Sequence, residues 1–292
     1  MSALASLVMG LRLCTPLTLR VSTARALHAA VLGAIQQDDP AASRWLHDSD
    51  GAAASTERPW TVSPIAGATR QHGHTLLEPD ADHWARITAL DENTVALIYR
   101  VLAPLRCWDA AERSQAITLD GVEIALSAAP SGSPALPVRE TSYTELWHST
   151  APASVISVHW LTTTLFRQRR ELTAAPGPVL VLGSWLRRWN AFAPRTLRMD
   201  SYALTEFVSR HVVVRDESLR FRREQLGRFE VRGFTGVQSW ELRSGAEDLA
   251  RQVAVLARYA LYCGTGAKTA LGLGQTITSL DATLPIDVPA GW

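Results

Sequence analysis

A Ser-, Pro- and Gly-rich stretch at residues 127–142, SAAPSGSPALPVRETS, interrupts the apolar periodicity of this 292-residue chain, and the same order of elements is read on either side of it. On the N-terminal side, Leu11, Leu13, Pro16 and Leu17 suit a first strand within residues 7–19. Ser22 or Thr23 can cap a helix in which Leu27, Val31, Leu32 and Ile35 recur at helical spacing up to the Asp38-Asp39-Pro40 break. A short helical piece at 40–46 leads into His47 and a small-residue loop at 50–57. Strands at 59–65 and 83–90, a helix at 91–102 and a strand at 117–126 with Gly121 at a turn complete the unit. The C-terminal side offers a strand at 155–165 and a helix at 179–192 with Leu182, Trp185, Leu186 and Trp189 on one face. A hairpin at 211–221 and 228–242, a periodic helix at 247–262 and a last strand at 269–277 follow. Each half reads β-α-β-β-α-β, the ferredoxin-like order. The expected fold is α+β, two tandem ferredoxin-like (RRM-like) domains at 1–128 and 153–292 joined by a linker at 129–152.

With 47% hydrophobic and 20% charged residues, the chain can bury a substantial core, which excludes disorder. No apolar run reaches the roughly 18 residues of a spanning helix, and the first 17 residues lack a basic start and a small-residue cleavage pattern. A cytoplasmic protein with no membrane partner is expected. Cys14, Cys107 and Cys263 are odd in number and far apart, as reduced thiols would be. Gln71-His72-Gly73-His74 with His83 lacks a Cys or carboxylate at ligand spacing, so no metal and no cofactor are expected.

Charge divides unevenly along the chain. Residues 1–150 hold 11 arginines against 16 carboxylates, whereas residues 151–292 hold 18 basic against 12 acidic side chains. The second half therefore suits a polyanion. Arg167, Arg169, Arg170 and the pair Arg187-Arg188 read either as a solvated face or as a groove for an RNA backbone. Arg220, Arg222, Arg223, Arg228 and Arg232 flank the expected hairpin. Trp185 and Trp189 suit core packing, with base stacking as the alternative. Arginine-rich coding accounts for much of this bias, yet Lys268 is the only lysine of the chain.

That lysine lies in the most specific stretch, Tyr262-Cys263-Gly264-Thr265-Gly266-Ala267-Lys268-Thr269-Ala270-Leu271-Gly272-Leu273-Gly274, between a helix and a strand. Glycines let backbone approach phosphates closely, and their N–H groups donate to anionic oxygens. A phosphate clamp built on Gly264, Gly266, Lys268, Thr269, Gly272 and Gly274 is one reading; a glycine-rich bend packed against the sheet is the other. A P-loop is excluded, because Ala267 precedes the lysine and helix and strand come in the reverse order.

At these residues the chain resembles the CRISPR repeat-RNA endoribonucleases of the repeat-associated superfamily, the sixth CRISPR-associated protein family. Members end in a helix, a loop of this glycine-rich type and a last strand. The resemblance also covers Phe234-Thr235-Gly236-Val237 and Val158-His159-Trp160-Leu161-Thr162. In the first half it covers Asp39-Pro40 through Trp45-Leu46-His47-Asp48, and Pro59-Trp60-Thr61-Val62-Ser63-Pro64. It implies that the partner is the repeat of precursor CRISPR RNA. The implied reaction is metal-independent attack of a ribose 2′-OH on the adjacent phosphate, leaving a 2′,3′-cyclic phosphate and a 5′-OH.

An imidazole titrating near neutrality suits either proton transfer of that reaction. His47 stands where the family places its histidine, with His28 on the first helix as the alternative, otherwise a surface side chain. The chain departs from the family in carrying Leu32 where some members have a tyrosine. It also has Arg58 where they have a lysine, and arginine can stabilise a phosphorane but is a poor proton donor. Arg228 and Arg232 join the glycine-rich loop as RNA-binding candidates. The resemblance leaves open an inactive or slow repeat-binding subunit, partnership with CRISPR effector subunits, and a monomer or homodimer.

Overall fold

The computed structural model describes residues 3–47, 57–71, 74–102, 116–128, 139–168, 171–226, 229–243 and 245–281. The first half runs β1 (Leu4–Arg12), β2 (Leu17–Leu19), α1 (Thr23–Asp38), α2 (Pro40–His47) and β3 (Trp60–Val62). It continues through the hairpin β4 (Thr69–Gln71) and β5 (His74–Leu77), then β6 (His83–Ala89), α3 (Glu92–Leu102), β7 (Ala116–Leu119) and β8 (Val122–Ala128). Its main sheet has the order β3-β6-β1-β8-β7, all antiparallel. Without the edge strand β7, this is the ferredoxin arrangement, with the first and third strands central.

α1 forms because its apolar residues share a stripe. Leu27, Val31 and Ile35 are fully buried in the first core, and Ser22 Oγ accepts from the Arg25 amide at 3.4 Å. It stops at Asp39, whose backbone is extended ahead of Pro40. The Asp39 carboxylate then accepts from the amides of Ala41 (3.1 Å) and Ala42 (2.9 Å), which starts α2 at a fixed angle. The Ala42 amide foremost, then the Ala41 amide and the Arg100 guanidinium, hold the Asp39 pKa below its usual value against desolvation, which pushes it up.

The second half runs β9 (Arg139–Thr141), α4 (Tyr143–Ser149), β10 (Val155–Thr164), β11 (Phe166–Gln168), β12 (Glu171–Thr173), α5 (Pro178–Phe192) and α6 (Ser201–His211). The long strands β13 (Val212–Leu226) and β14 (Phe229–Leu242), then α7 (Glu247–Cys263) and β15 (Thr276–Leu280), complete it. Its sheet order, β13-β14-β10-β15, repeats that of the first half. The chain thus holds two tandem ferredoxin-like folds. Of the expected linker, 129–138 lie outside the described residues, while β9 pairs with β1 and α4 packs on α7 through Arg251, which donates to Trp147 O at 3.0 Å.

Two local expectations are corrected and one alternative is removed. Residues 269–277 do not form one strand: Thr269–Leu271 is a 3₁₀ turn, because Lys268 and Gly272 flank it in left-handed conformations, and β15 begins only at Thr276. Trp185 and Trp189 lie in the core as expected, and their full burial removes the base-stacking alternative. β6 does not alternate between core and solvent. Ala85, Ile87 and Ala89 pack in the first core, while Trp84 joins Leu161 and Ile277 of the second half across the seam.

That seam is polar as well as apolar. Arg86, on β6, is fully buried and donates from Nε to Gln275 Oε1 (3.1 Å) and from Nη1 to Leu261 O (2.8 Å) at the end of α7. Gln275 Nε2 donates in turn to Val62 O at 2.9 Å, and Thr88 Oγ1 to Tyr262 O at 2.6 Å. Among the described residues no helix is long and apolar enough to cross a membrane, and no His, Cys, Asp and Glu cluster could hold a metal ion. His83, once weighed as a ligand, instead spans Ala66 O at 3.1 Å and Glu78 O at 2.8 Å; His72 lies outside the described residues.

Candidate active site

The glycine-rich loop is a bend that the rest of the fold requires. Gly264, Gly266, Gly272 and Gly274 all have positive φ. At each of them a Cβ would also strike other atoms: the Gly274 carbonyl at Gly264, the Leu165 carbonyl at Gly266, Ala24 of α1 at Gly272 and the Thr265 carbonyl at Gly274. The glycine amides are engaged inside the protein. Gly264 donates to Ala260 O (2.9 Å), Gly266 to Ser184 Oγ (3.1 Å), Gly272 to Thr269 O (3.3 Å) and Gly274 to Thr163 O (3.1 Å). The expectation that these N–H groups face a phosphate is therefore corrected, and what the loop presents is side chains. Lys268 is half-buried in a left-handed conformation (φ 61°), and Thr269 is buried.

One side chain organises the loop. Arg188, on α5, is buried; its Nη1 donates to Cys263 O, its Nη2 to Gly266 O at 2.8 Å, and its Nε to the Glu57 carboxylate at 2.9 Å. Arg187 reaches the other Glu57 oxygen at 3.3 Å. Of the pair read as a solvated face or an RNA groove, Arg187 stays exposed while Arg188 faces inward, and its lost hydration is replaced by carbonyls and a carboxylate. Burial pushes the Glu57 pKa up, but the two guanidiniums overcome it and hold the group below its ordinary value. Glu57 immediately precedes Arg58, so this ion pair fastens the entry to β3 onto the loop of the other half.

The catalytic candidates of the first half gather beside that anchor. Arg58 Nη2 donates to the His47 carbonyl at 3.4 Å, bringing the guanidinium to the C-terminal end of α2 where His47 is exposed. His28 lies below them. It is not the surface side chain expected: only 8% exposed, it stacks on Trp60 with ring centroids 4.8 Å apart and 15° between planes. Its Nδ1 has no hydrogen-bond partner among the described residues. Burial first, then the positive charge of Arg58, lowers the His28 pKa to about 4; a backbone bond with Ala270 pulls the other way, and His47 and Arg25 add to the lowering. His28, His47, Arg58 and the 3₁₀ turn of the loop therefore share one environment drawn from both halves.

Other candidates stand apart. Leu32 is buried one turn along α1 and brings no polar atom. Arg232 is exposed on β14 opposite Arg223 and takes no part in the contacts that gather the histidines. Arg228, Arg169 and Arg170 lie outside the described residues. Sequence reasoning missed Glu57, Arg86, Gln275 and the positioning role of Arg188. A charged pair that forms across 131 residues leaves no local spacing to find. A cavity of about 280 Å³ opens on the far side of the loop, bordered by Arg20, Arg70, Arg222, Thr163 and Leu271.

A double ferredoxin-like protein with a glycine-rich loop seated on the helices of its first domain is the class that this geometry defines. Residues 158–276 match the family model of the CRISPR-associated endoribonuclease Cas6. Solved Cas6 structures share the fold along nearly the whole chain. The product complex of the Cas6 protein TTHB231 is 24% identical over 96% of this chain and 100% of that one, with a TM-score of 0.73. A further structure of TTHB231, from Thermus thermophilus, is 23% identical over 96% and 99%, at 0.69. The product complex of another Cas6, TTHA0078, is 24% identical over 95% and 99%, also at 0.69. No curated protein matches the chain in sequence.

Proposed function

We propose that this chain is an endoribonuclease that binds the repeat of precursor CRISPR RNA and cuts it without a metal. The observation that carries the reading is the convergence of His47, Arg58 and His28 on the loop that follows α7. In the proposed step a ribose 2′-oxygen forms a bond to the adjacent phosphorus and the bond to the 5′-oxygen breaks. One group takes the 2′-OH proton and another delivers a proton to the leaving oxygen, leaving a 2′,3′-cyclic phosphate and a 5′-OH. His47 is exposed and can touch RNA, so it moves the proton. Arg58 offers a permanent charge to the phosphorane. His28, buried and neutral at pH 7, supports the pocket floor beneath them, and Lys268 grips a flanking phosphate.

The test is single-turnover cleavage of the host's own repeat RNA in EDTA, with and without a 2′-deoxy substitution immediately upstream of the scissile phosphate. Cutting is expected in EDTA and is expected to vanish with the deoxy sugar while binding stays within a few fold. Cleavage that survives the deoxy sugar or vanishes with EDTA points to a metal-bound water. Tight binding with no cutting at all makes the chain a repeat-binding subunit.

A further inference from the structure

The outer part of the β13–β14 hairpin carries a combination that the isolated protein does not explain. Phe221 is 67% exposed, the ring resting edge-on against the buried Phe234 with centroids 6.5 Å apart. Two residues on, on the same face, Arg223 lies directly across the ladder from Arg232. Like charges placed opposite each other on antiparallel strands destabilise the pair, and an aromatic ring held in water forgoes its burial energy. Glu230 relieves only one side, by a 3.2 Å ion pair to Arg223. Arg232 has no ion pair or hydrogen bond to a described residue. Phe221, Arg223, Arg232 and Ala174 border a shallow hollow of about 300 Å³.

We infer that this hollow is a stacking site for one unpaired base of the RNA, with Phe221 as the platform and Arg223 and Arg232 on the phosphates beside it. The inference rests on the RNA-binding function proposed above and adds a recognition element away from the histidines. A nucleotide brings the two things the face lacks, a flat apolar surface for the ring and negative charge for the opposed arginines. Phe234 fixes the orientation of the ring from behind through its own edge contact with Trp160, so the platform is rigid before RNA arrives. A protein partner would need carboxylates placed beside its apolar contact, whereas every nucleotide carries a flat ring and a phosphate together.

The test is a binding series with the host's repeat RNA, in which each nucleotide in turn is replaced by an abasic one. Phe221→Ala is expected to raise Kd by about 5- to 150-fold, Phe221→Leu by a similar factor, and Phe221→Trp by less than about threefold. One abasic position is expected to cost the wild-type protein the same factor and to cost Phe221→Ala nothing further. Thermal melting checks that the variants fold. Equal affinities of wild type and Phe221→Ala, or a leucine as good as phenylalanine, overturn the stacking site; the first result assigns the hollow to a protein partner. Wild-type cleavage of the unmodified repeat separates the two readings. Cutting with no effect of Phe221→Ala removes the stacking site alone, whereas a wild-type protein that neither binds nor cuts the repeat removes both.

Discussion

Arg188→Met tests whether one ion pair holds the loop onto the first domain. The substitution keeps most of the side-chain volume but removes the charge from a position whose side chain is 7% exposed and whose partner Glu57 is 18% exposed. Breaking a buried pair by removing one partner costs about 3–5 kcal/mol, and the Cys263 and Gly266 carbonyls also lose their donor, which places the expectation in the upper part of that range. The sign of the pH dependence is a sharper test. In the wild type the Glu57 pKa is depressed in the folded state, so its contribution is full above the unfolded value and fades as pH falls through the folded one. Without Arg188, burial is opposed only by the exposed Arg187, and the carboxyl is pushed upward. The deficit of Arg188→Met relative to wild type should then be largest at neutral pH and shrink in acid. Urea unfolding at pH 7 and pH 4 measures both, and Glu57→Gln in the Arg188→Met background should recover part of the loss, since the stranded charge is gone. A deficit below about 1 kcal/mol, or one equal at the two pH values, would falsify the anchoring role.

His47→Ala is expected to slow single-turnover cleavage by about 10²- to 10⁴-fold with melting temperature and repeat affinity nearly unchanged; a loss under tenfold would move the proton transfer elsewhere. Replacing Lys268 by Gln should weaken RNA binding more than the single-turnover rate at saturating RNA, and lower the salt slope of binding by up to about one counterion, which a salt series reads directly. His28 contributes through burial: its folded pKa of about 4 lies below the ordinary value of 6.5, so no cost exists above pH 6.5. As pH falls from 6.5 to 4 the unfolded chain takes up the proton first, and stability declines by about 3 kcal/mol. His28→Gln should flatten that part of the stability profile, and an unchanged slope contradicts the burial argument.

The repeated order of elements was legible because apolar periodicity reports which face of a strand or helix meets a core. Leu27, Val31 and Ile35 mark the buried stripe of α1, and the Gly121 turn falls between β7 and β8, with Asp120 and Gly121 both at positive φ. Periodicity placed β6 but not its burial on both faces, because a strand covered on both sides has no polar side to mark. Nor could it assign α6, whose start depends on the Asp200 carboxylate capping the amides of Tyr202 (2.8 Å) and Ala203 (3.1 Å). At the candidate site the motif named segments that the fold brings together, and misjudged the surroundings of individual side chains. His28 was expected on the surface because helical spacing in α1 does not reveal that Trp60, 32 positions later, covers it. Arg188 was read as a solvated or groove-lining side chain because an arginine pair looks alike in sequence whether it faces water, phosphate or carbonyl.

The placement of Arg86 gives a reason why the two halves hold one relative orientation. Burial lowers its pKa to about 10, which still leaves the guanidinium charged at neutral pH, and no described carboxylate balances it. What faces it is the negative end of α7, through the Leu261 carbonyl, and the Gln275 side-chain oxygen. A charge stabilised by a helix terminus and one amide is strongly sensitive to direction, because sliding either sheet would strand a buried cation. Gln275 immediately follows the glycine-rich loop, and α7 immediately precedes it. The contact that fixes the domains therefore also fixes both ends of the loop, while Arg188 and Glu57 fix its middle. The cooperation proposed for His47 on one domain and Lys268 on the other at one phosphodiester requires that geometry to be set before RNA arrives, and the buried polar seam is what holds it.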